Sequence, residues 1–319
     1  MSSPTDRPAG STGQPPSGRG SGRLGATAMA ATRHLPRGVW DPAAQLAGAA
    51  LSRFPVPAVK QWMLNAETMT GTPPCHAQTR RAVVSWARTL VTSMQLPGWS
   101  RERIDQQVDF DPGQFQVLRD AVATRGAVVA LPHMASWDLA GAWVAGRGVP
   151  ISTVAEQLPD AEFELFVRTR ERLGMKVYGH RQPQVASRLV ADLREGRLIS
   201  LVADRDFSRR GVAVNWLTAT GPVPGSMPPG PAHLAVLTGA ALVGVVCSYT
   251  SPDRMRIEFS PVLEPADQAT SRERAAALTC RLAEWFSPRI AAQVHDWHMF
   301  QPFFTGLGAD PARTTGTLS

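Results

Sequence analysis

Apolar residues recur along this chain in short blocks whose spacing switches between two periods. From Val39 onward, Trp40, Leu46, Leu51, Phe54, Val56, Val59, Trp62, Met63 and Leu64 form a dense apolar series. Pro55 and Pro57 interrupt it, and proline lacks the amide N–H a helix interior needs, so the pattern predicts two short helices. His76 to Met94 reads as one long helix with Val83, Val84, Trp86, Leu90, Val91 and Met94 on its apolar face, and Leu96-Pro97-Gly98 ends it. Beyond Asp111-Pro112 the two periods alternate. Helices are expected at 112–124, 136–145, 160–173, 183–195, 230–238 and 271–290. Between them lie the strand-like runs Ala127–Leu131, Ile151–Ala155, 175–178, Leu198–Val202 and Ala241–Val246, with Arg254–Phe259 as an edge strand.

Strands separated by helices of about ten to fifteen residues predict an α/β fold, here a single domain whose mixed, largely parallel central sheet is flanked by helices. Residues 1–35 are rich in Pro, Gly, Ser and Thr. They carry too little apolar surface to offset the entropy of ordering, so a disordered tail is expected there. The folded domain is expected over 36–305, and 306–319 as a flexible C-terminal tail.

Composition narrows the class. With 319 residues, 43% of them hydrophobic, the chain is long enough for a substantial core and is not disordered throughout. Lys plus Arg number 33 against 26 Asp plus Glu, a formal charge of +7 that favours anionic surfaces such as phospholipid, nucleic acid or acidic substrates. Lys60 and Lys176 are the only lysines, so an arginine-dominated charge fits GC-rich coding bias as well as a selected basic surface. Cys75, Cys247 and Cys280 are widely spaced and odd in number, which argues against a disulfide framework or a cysteine-built zinc site. No run of eighteen apolar residues and no signal-like N-terminal core occurs, so a cytoplasmic protein is expected, meeting a membrane only by lying on it. The Trp40–Leu64 region then has two readings. It packs on the core, or it enters the lipid interface with Trp and Phe on one side and Arg53 and Lys60 on the other.

In α/β sheets, sites form beyond the carboxyl ends of strands. Directly after Ala127–Leu131 comes Pro132-His133-Met134-Ala135-Ser136-Trp137-Asp138, a His-x-x-x-x-Asp pattern. Its spacing lets Asp138 accept a hydrogen bond from one imidazole nitrogen of His133, leaving the other as a base for a hydroxyl group. The alternative is that Asp138 or Ser136 caps the following helix and His133 is a loop histidine. After Leu198–Val202 come Asp204, Arg205 and Asp206. Asp204 is suited to position the histidine or an acceptor hydroxyl, and Arg205 to grip phosphate or carboxylate, unless the three form only a solvated loop. Neither a Gly-x-Gly-x-x-Gly nor a Walker loop is present, and no metal-ligand spacing stands out.

These blocks, taken in order, resemble the bacterial lipid A biosynthesis acyltransferases and, more closely, actinobacterial phosphatidylinositol mannoside acyltransferases. The resemblance runs from about Trp62 to Phe304. It rests on Gly126-Ala-Val-Val-Ala-Leu-Pro-His133 through Trp137-Asp138, on Thr153-Val-Ala-Glu156, and on Phe166-Val-x-x-Arg170-x-x-x-Gly174. It continues with Leu201-Val-Ala-Asp204-Arg205-Asp206, with Pro228-Pro-Gly230-Pro231, and with Asp296-Trp297-His298. The resemblance implies a glycerolipid acyltransferase-like fold and transfer of an acyl group, commonly palmitoyl, from acyl-CoA to a glycolipid hydroxyl. The implied location is peripheral, at the cytoplasmic face of the plasma membrane, against an anionic lipid surface. It implies His133 as general base oriented by Asp138, with Asp204, Arg205, Arg170 and Gly230 as substrate contacts. Acyl-CoA is then a co-substrate, and neither cofactor nor metal is expected. Two positions depart from the family pattern: Asp204 stands where a glutamate is usual, and Met134-Ala135-Ser136 where a small residue and Gly-Asn are common. Trp297-His298 matches a family block to which no mechanistic role attaches.

Two other classes remain. A lipid-binding paralogue without turnover would fit the two departures. Nucleic-acid binding rests on charge alone, with no RNA- or DNA-binding motif beside the arginines, and is not expected.

Overall fold

The structure, a computed structural model, describes residue 27 and residues 29–304, apart from 157–159, 207–210 and 266–269. Three helices lead into the sheet: α1 (Arg37–Arg53), α2 (Pro57–Thr70) and α3 (His76–Gln95). Pro57 opens α2 at a position where its missing N–H costs nothing, and Gly71, at φ 72°, closes it in a conformation that side chains with a Cβ resist. The chain continues through α4 (Arg101–Gln106), β1 (Val108–Phe110), α5 (Pro112–Arg125), β2 (Ala127–Leu131), α6 (Trp137–Ala145), β3 (Ile151–Ala155) and α7 (Asp160–Arg172). Next come β4 (Met175–Gly179), α8 (Val185–Arg194), β5 (Leu198–Val202), β6 (Val212–Thr218), β7 (Gly221–Met227) and α9 (Gly230–Thr238). The last elements are β8 (Ala241–Ser251), β9 (Arg254–Phe259) and α10 (Ser271–Ala292).

The central sheet has seven strands in the order β1-β9-β8-β2-β5-β3-β4, and β6 with β7 forms a separate antiparallel hairpin. Every pairing in the large sheet is parallel except β8 with β9. The expected mixed, largely parallel α/β architecture is therefore the observed one. Three details differ. Arg254–Phe259 is not at the edge, because β1 pairs outside it. The β6–β7 hairpin and the one-turn-and-a-half helix α4 carry periodic signals too short or too interrupted by Pro and Gly to be read from spacing.

Strand β2 is buried on both faces, as a continuous apolar run requires. Val128 and Ala130 face one core with Trp62, Met69, Phe286 and Trp297, whereas Ala127, Val129 and Leu131 face the other with Phe115, Leu139 and Trp143. All three cysteines are free thiols.

Helices α1 and α2 divide the Trp40–Leu64 series into buried and exposed residues. Trp62 and Val59 are buried, and the Trp62 indole N–H donates to the Trp297 carbonyl at 3.0 Å. Asn65 donates to the carbonyls of Met299 and Gln301, each at 2.8 Å, so α2 clamps the C-terminal segment. Helix α1 is inverted relative to an ordinary surface helix. It packs through Gly48, where an added Cβ would lie 3.0 Å from Arg80, and turns Val39, Leu46 and Ala50 outward. Leu46 is 73% exposed and Phe54, just past the helix, 79%. Of the expected N-terminal tail, residues 1–26 lie outside the described residues, as do 305–319 at the other end. Thr32–His34 form a 3-10 turn, and Gln95 donates to the carbonyls of Thr32 and Leu35.

Candidate active site

Strand pairing alone brings two of the singled-out residues together. β2 and β5 are parallel neighbours with Leu131 opposite Val202. The Ala203 amide extends the ladder to the Leu131 carbonyl at 2.8 Å. His133 and Asp204 each lie two residues beyond that last pair, at the carboxyl edge of the sheet. The contact follows: His133 Nδ1 is 2.6 Å from Asp204 Oδ1, and the His133 amide donates to Asp204 Oδ2 at 3.0 Å. The Trp297 indole N–H also donates to Oδ2, at 2.9 Å. The Asp204 side chain is fully buried, while that of His133 is 29% exposed.

An ionised carboxylate only accepts, so Nδ1 of His133 carries the hydrogen, and in the neutral ring Nε2 carries the lone pair. Nε2 has no hydrogen-bond partner among the described residues. Burial opposes ionisation of both groups, yet their mutual attraction outweighs it. The Asp204 carboxyl is held below the ordinary aspartate value, and the His133 imidazole, although burial pulls it down, is raised by the charge and hydrogen bond of Asp204. Arg205 opposes the positive charge on His133 and Glu156 supports it, so both lie near the ring. The Asp204 side chain, short as it is, therefore reaches the histidine.

The expected hydrogen bond from His133 to Asp138 is not formed. Asp138 Oδ1 accepts from Arg170 Nε at 2.7 Å and Oδ2 from Ser93 Oγ at 2.7 Å. The correction has a geometric cause. Asp138 sits in the first turn of α6, and Ser136 is the cap, accepting from the Leu139 amide. The carboxylate is thereby turned towards α3 and α7 and away from the loop. Arg170, expected as a substrate contact, has its Nε engaged in this pair, with the two side chains 14% and 4% exposed. Gly230 opens α9 and is exposed, and a Cβ there would meet nothing.

The loop between His133 and Asp138 is held from behind by the C-terminal segment. The Ala135 amide donates to the Asp296 carbonyl at 2.9 Å, and the His298 amide to the His133 carbonyl at 2.7 Å. Ala135 adopts φ 45°, a left-handed conformation that costs a residue with a Cβ about 1–2 kcal/mol. Trp297 and His298, which carried no role in the sequence, thus belong to the site. Burial pushes the His298 imidazole down to about 3, with His133 and His295 adding to the effect, so this second histidine stays neutral. Trp137 lies edge-on to His133, ring centroids 5.6 Å apart.

Among the described residues, no group of three or more His, Cys, Asp or Glu side chains could hold a metal ion. No helix of the described residues is long and apolar enough to cross a membrane. The apolar stretch Leu234–Leu242 runs from α9 into β8. A cavity of about 170 Å³ adjoins Ala235, Val236, Gly239, Ala240 and Leu242. It also borders Arg125, which precedes β2, so it opens at the end of the sheet opposite His133, on the order of 20 Å away along the strand.

The chain is 37% identical over 253 residues to a phosphatidylinositol mannoside acyltransferase of Mycolicibacterium smegmatis, covering 76% of this chain and 78% of the relative. It is 35% identical over 252 residues to two proteins of the same name from Mycobacterium tuberculosis strains, covering 76% of each chain. Residues 20–305 match the family model described as bacterial lipid A biosynthesis acyltransferase, and the chain, with His133 at the carboxyl edge of its sheet, belongs to that family.

Proposed function

We propose that this protein transfers a long-chain acyl group, palmitoyl in the first instance, from acyl-CoA to a mannose hydroxyl of a phosphatidylinositol mannoside or a related glycolipid. The observation that carries the reading is the His133–Asp204 pair, with Nε2 of the ring left as a lone pair at the sheet edge. Nε2 takes the proton of the acceptor hydroxyl as its oxygen attacks the thioester carbonyl. A C–O bond forms, the tetrahedral oxyanion collapses, the C–S bond breaks, and the proton on His133 passes to the departing CoA thiolate. Asp204 stabilises the imidazolium formed on the way and holds the ring in the productive tautomer. Direct transfer is favoured over an acyl-enzyme because the chain has no Gly-x-Ser-x-Gly nucleophile elbow.

In this reading Asp138 acts one step removed, fixing the first turn of α6 behind the loop. Arg205, beside the site, and Gly230, at the start of α9, contact phosphate or sugar groups of the substrates. Acyl-CoA is the only co-substrate, and no cofactor takes part. The enzyme works as a peripheral protein at the cytoplasmic face of the plasma membrane. Support comes from the exposed apolar residues Leu46 on α1, Phe54 and Val56 in the connection and Leu64 on α2, in a stretch that also carries Arg53 and Lys60, a combination suited to an anionic lipid surface.

The test is incubation with labelled palmitoyl-CoA and a mannosylated phosphatidylinositol. Labelled acyl-glycolipid is the expected product. Retained glycolipid binding with no acyl product from the wild type would replace the enzyme by a lipid-binding paralogue.

A further inference from the structure

Three hydroxyl residues on α3, Ser85, Thr89 and Ser93, are spaced four apart and so share one helix face. All three are buried. Helix α3 lies outside the α/β sheet, between α1 and the catalytic layer, yet its two outer hydroxyls reach carboxylates on either side of the His133 loop. Ser93 Oγ donates to Asp138 Oδ2 at 2.7 Å. Ser85 Oγ donates to Asp296 Oδ1 at 2.7 Å and lies 2.9 Å from His298 Nε2. Thr89 Oγ1 is 3.0 Å from the Tyr249 hydroxyl, and the Tyr249 amide donates to the other Asp296 oxygen at 2.7 Å.

The Ser85 hydroxyl has one hydrogen, which it donates to Asp296 Oδ1. His298 must then donate from Nε2, which leaves its buried Nδ1 without a partner. This fixes the ring that follows Trp297, the indole donor to Asp204. Asp296 in turn supplies the carbonyl that holds Ala135. Ser93 fixes Asp138, three residues beyond Ala135. The loop that carries the base is therefore tied at both ends to one face of α3.

We propose that Ser85 and Ser93 are positioning residues for acyl transfer, through which helix α3 sets the placement of the His133 ring. The inference rests on His133 being the base. Displacement of a reacting group by about 1 Å can cost on the order of a hundredfold in rate, so loss of either hydroxyl should be read in kcat and not in substrate binding.

The experiment compares wild type with Ser93→Ala, Ser85→Ala and Ser93→Thr in transfer of labelled palmitoyl from palmitoyl-CoA, with thermal melting measured in parallel. Wild-type activity is the control for the proposed reaction, and its absence overturns that reading and this inference with it. With active wild type, the expected result is a fall in kcat of about tenfold or more for each alanine variant, corrected for folded fraction, at unchanged KM for both substrates. Ser93→Thr, which keeps the hydroxyl, should recover most of it. Wild-type kcat per folded molecule in the alanine variants, a change confined to KM, or no recovery in a folded Ser93→Thr would each overturn the proposal.

Discussion

His133 Nδ1 and Asp204 Oδ1 lie 2.6 Å apart, and this pair, which spans two neighbouring strands, takes the place that local spacing assigns to His133 and Asp138. The consequence is a division of labour between two acids. Asp204 touches the imidazole and responds to its charge. Asp138, held by Arg170 and Ser93, fixes the helix turn behind the loop.

Removing the base should lower turnover steeply without unfolding the chain. His133 is partly exposed and its ring is not a core element, so His133→Ala is expected to lower kcat by about 10²–10⁴-fold, the usual contribution of a positioned general base. Transfer of labelled palmitoyl, with circular dichroism and melting as folding controls, measures it. Wild-type turnover in a folded His133→Ala protein would remove the base from the mechanism.

The Asp138–Arg170 pair predicts a loss of stability. Both side chains are nearly buried, and deleting one partner of such a pair leaves a desolvated charge, typically a cost of about 3–5 kcal/mol. Arg170→Met should therefore lower the urea midpoint markedly, with the remaining Ser93 bond softening the loss. A variant with an unchanged midpoint and only a raised KM would mean that Arg170 serves the substrate alone.

Trp297 gives a finer test. Trp297→Phe keeps an aromatic ring in the core but deletes the donor to Asp204 Oδ2. Hydrogen bonds to charged groups contribute about 1.5–3 kcal/mol, so a stability loss of that order is expected, together with reduced kcat. Unaltered stability and rate would show that the indole N–H does not hold Asp204.

Bilayer contact is tested where the fold has no stake. Leu46 and Phe54 are the two most exposed large apolar residues among the described residues, and Leu46→Glu with Phe54→Glu should leave melting unchanged. Flotation with vesicles containing phosphatidylinositol should show at least tenfold weaker binding, since each carboxylate replaces apolar contact by repulsion from an anionic surface. Equal flotation of variant and wild type would move the contact face elsewhere.

Most of the α/β core was legible from residue spacing because its strands are short apolar runs separated by helices of nine or more residues. Ala127–Leu131, Ile151–Ala155 and Leu198–Val202 were placed to the residue. What spacing could not supply was strand order. His133 and Asp204 were each visible as strand-end residues, but only the parallel β2–β5 pairing makes them neighbours. Asp138, five residues from His133, was the natural local partner, and the Ser136 cap turns it away. The role of Trp297 was not legible for the same reason, since its bond to Asp204 joins residues 93 apart in the chain. The hairpin β6–β7 is not legible because Pro222, Pro224, Gly221 and Gly225 obscure the alternation that buries Val214, Trp216, Val223 and Met227.

The most direct measurement is the pH profile of kcat/KM for labelled acyl transfer by wild type and Asp204→Asn. A base works only when unprotonated, and Asp204 raises the His133 imidazole above its ordinary value of 6.5. Wild-type activity should therefore fall as pH drops through an inflection above 6.5. In Asp204→Asn that inflection should move to lower pH, because the charge holding the proton is gone, and the rate at the plateau should fall by up to about 10⁴-fold. An acid limb at the same pH and a plateau within about twofold of wild type would contradict the account, since Asp204 would then neither charge nor orient the base.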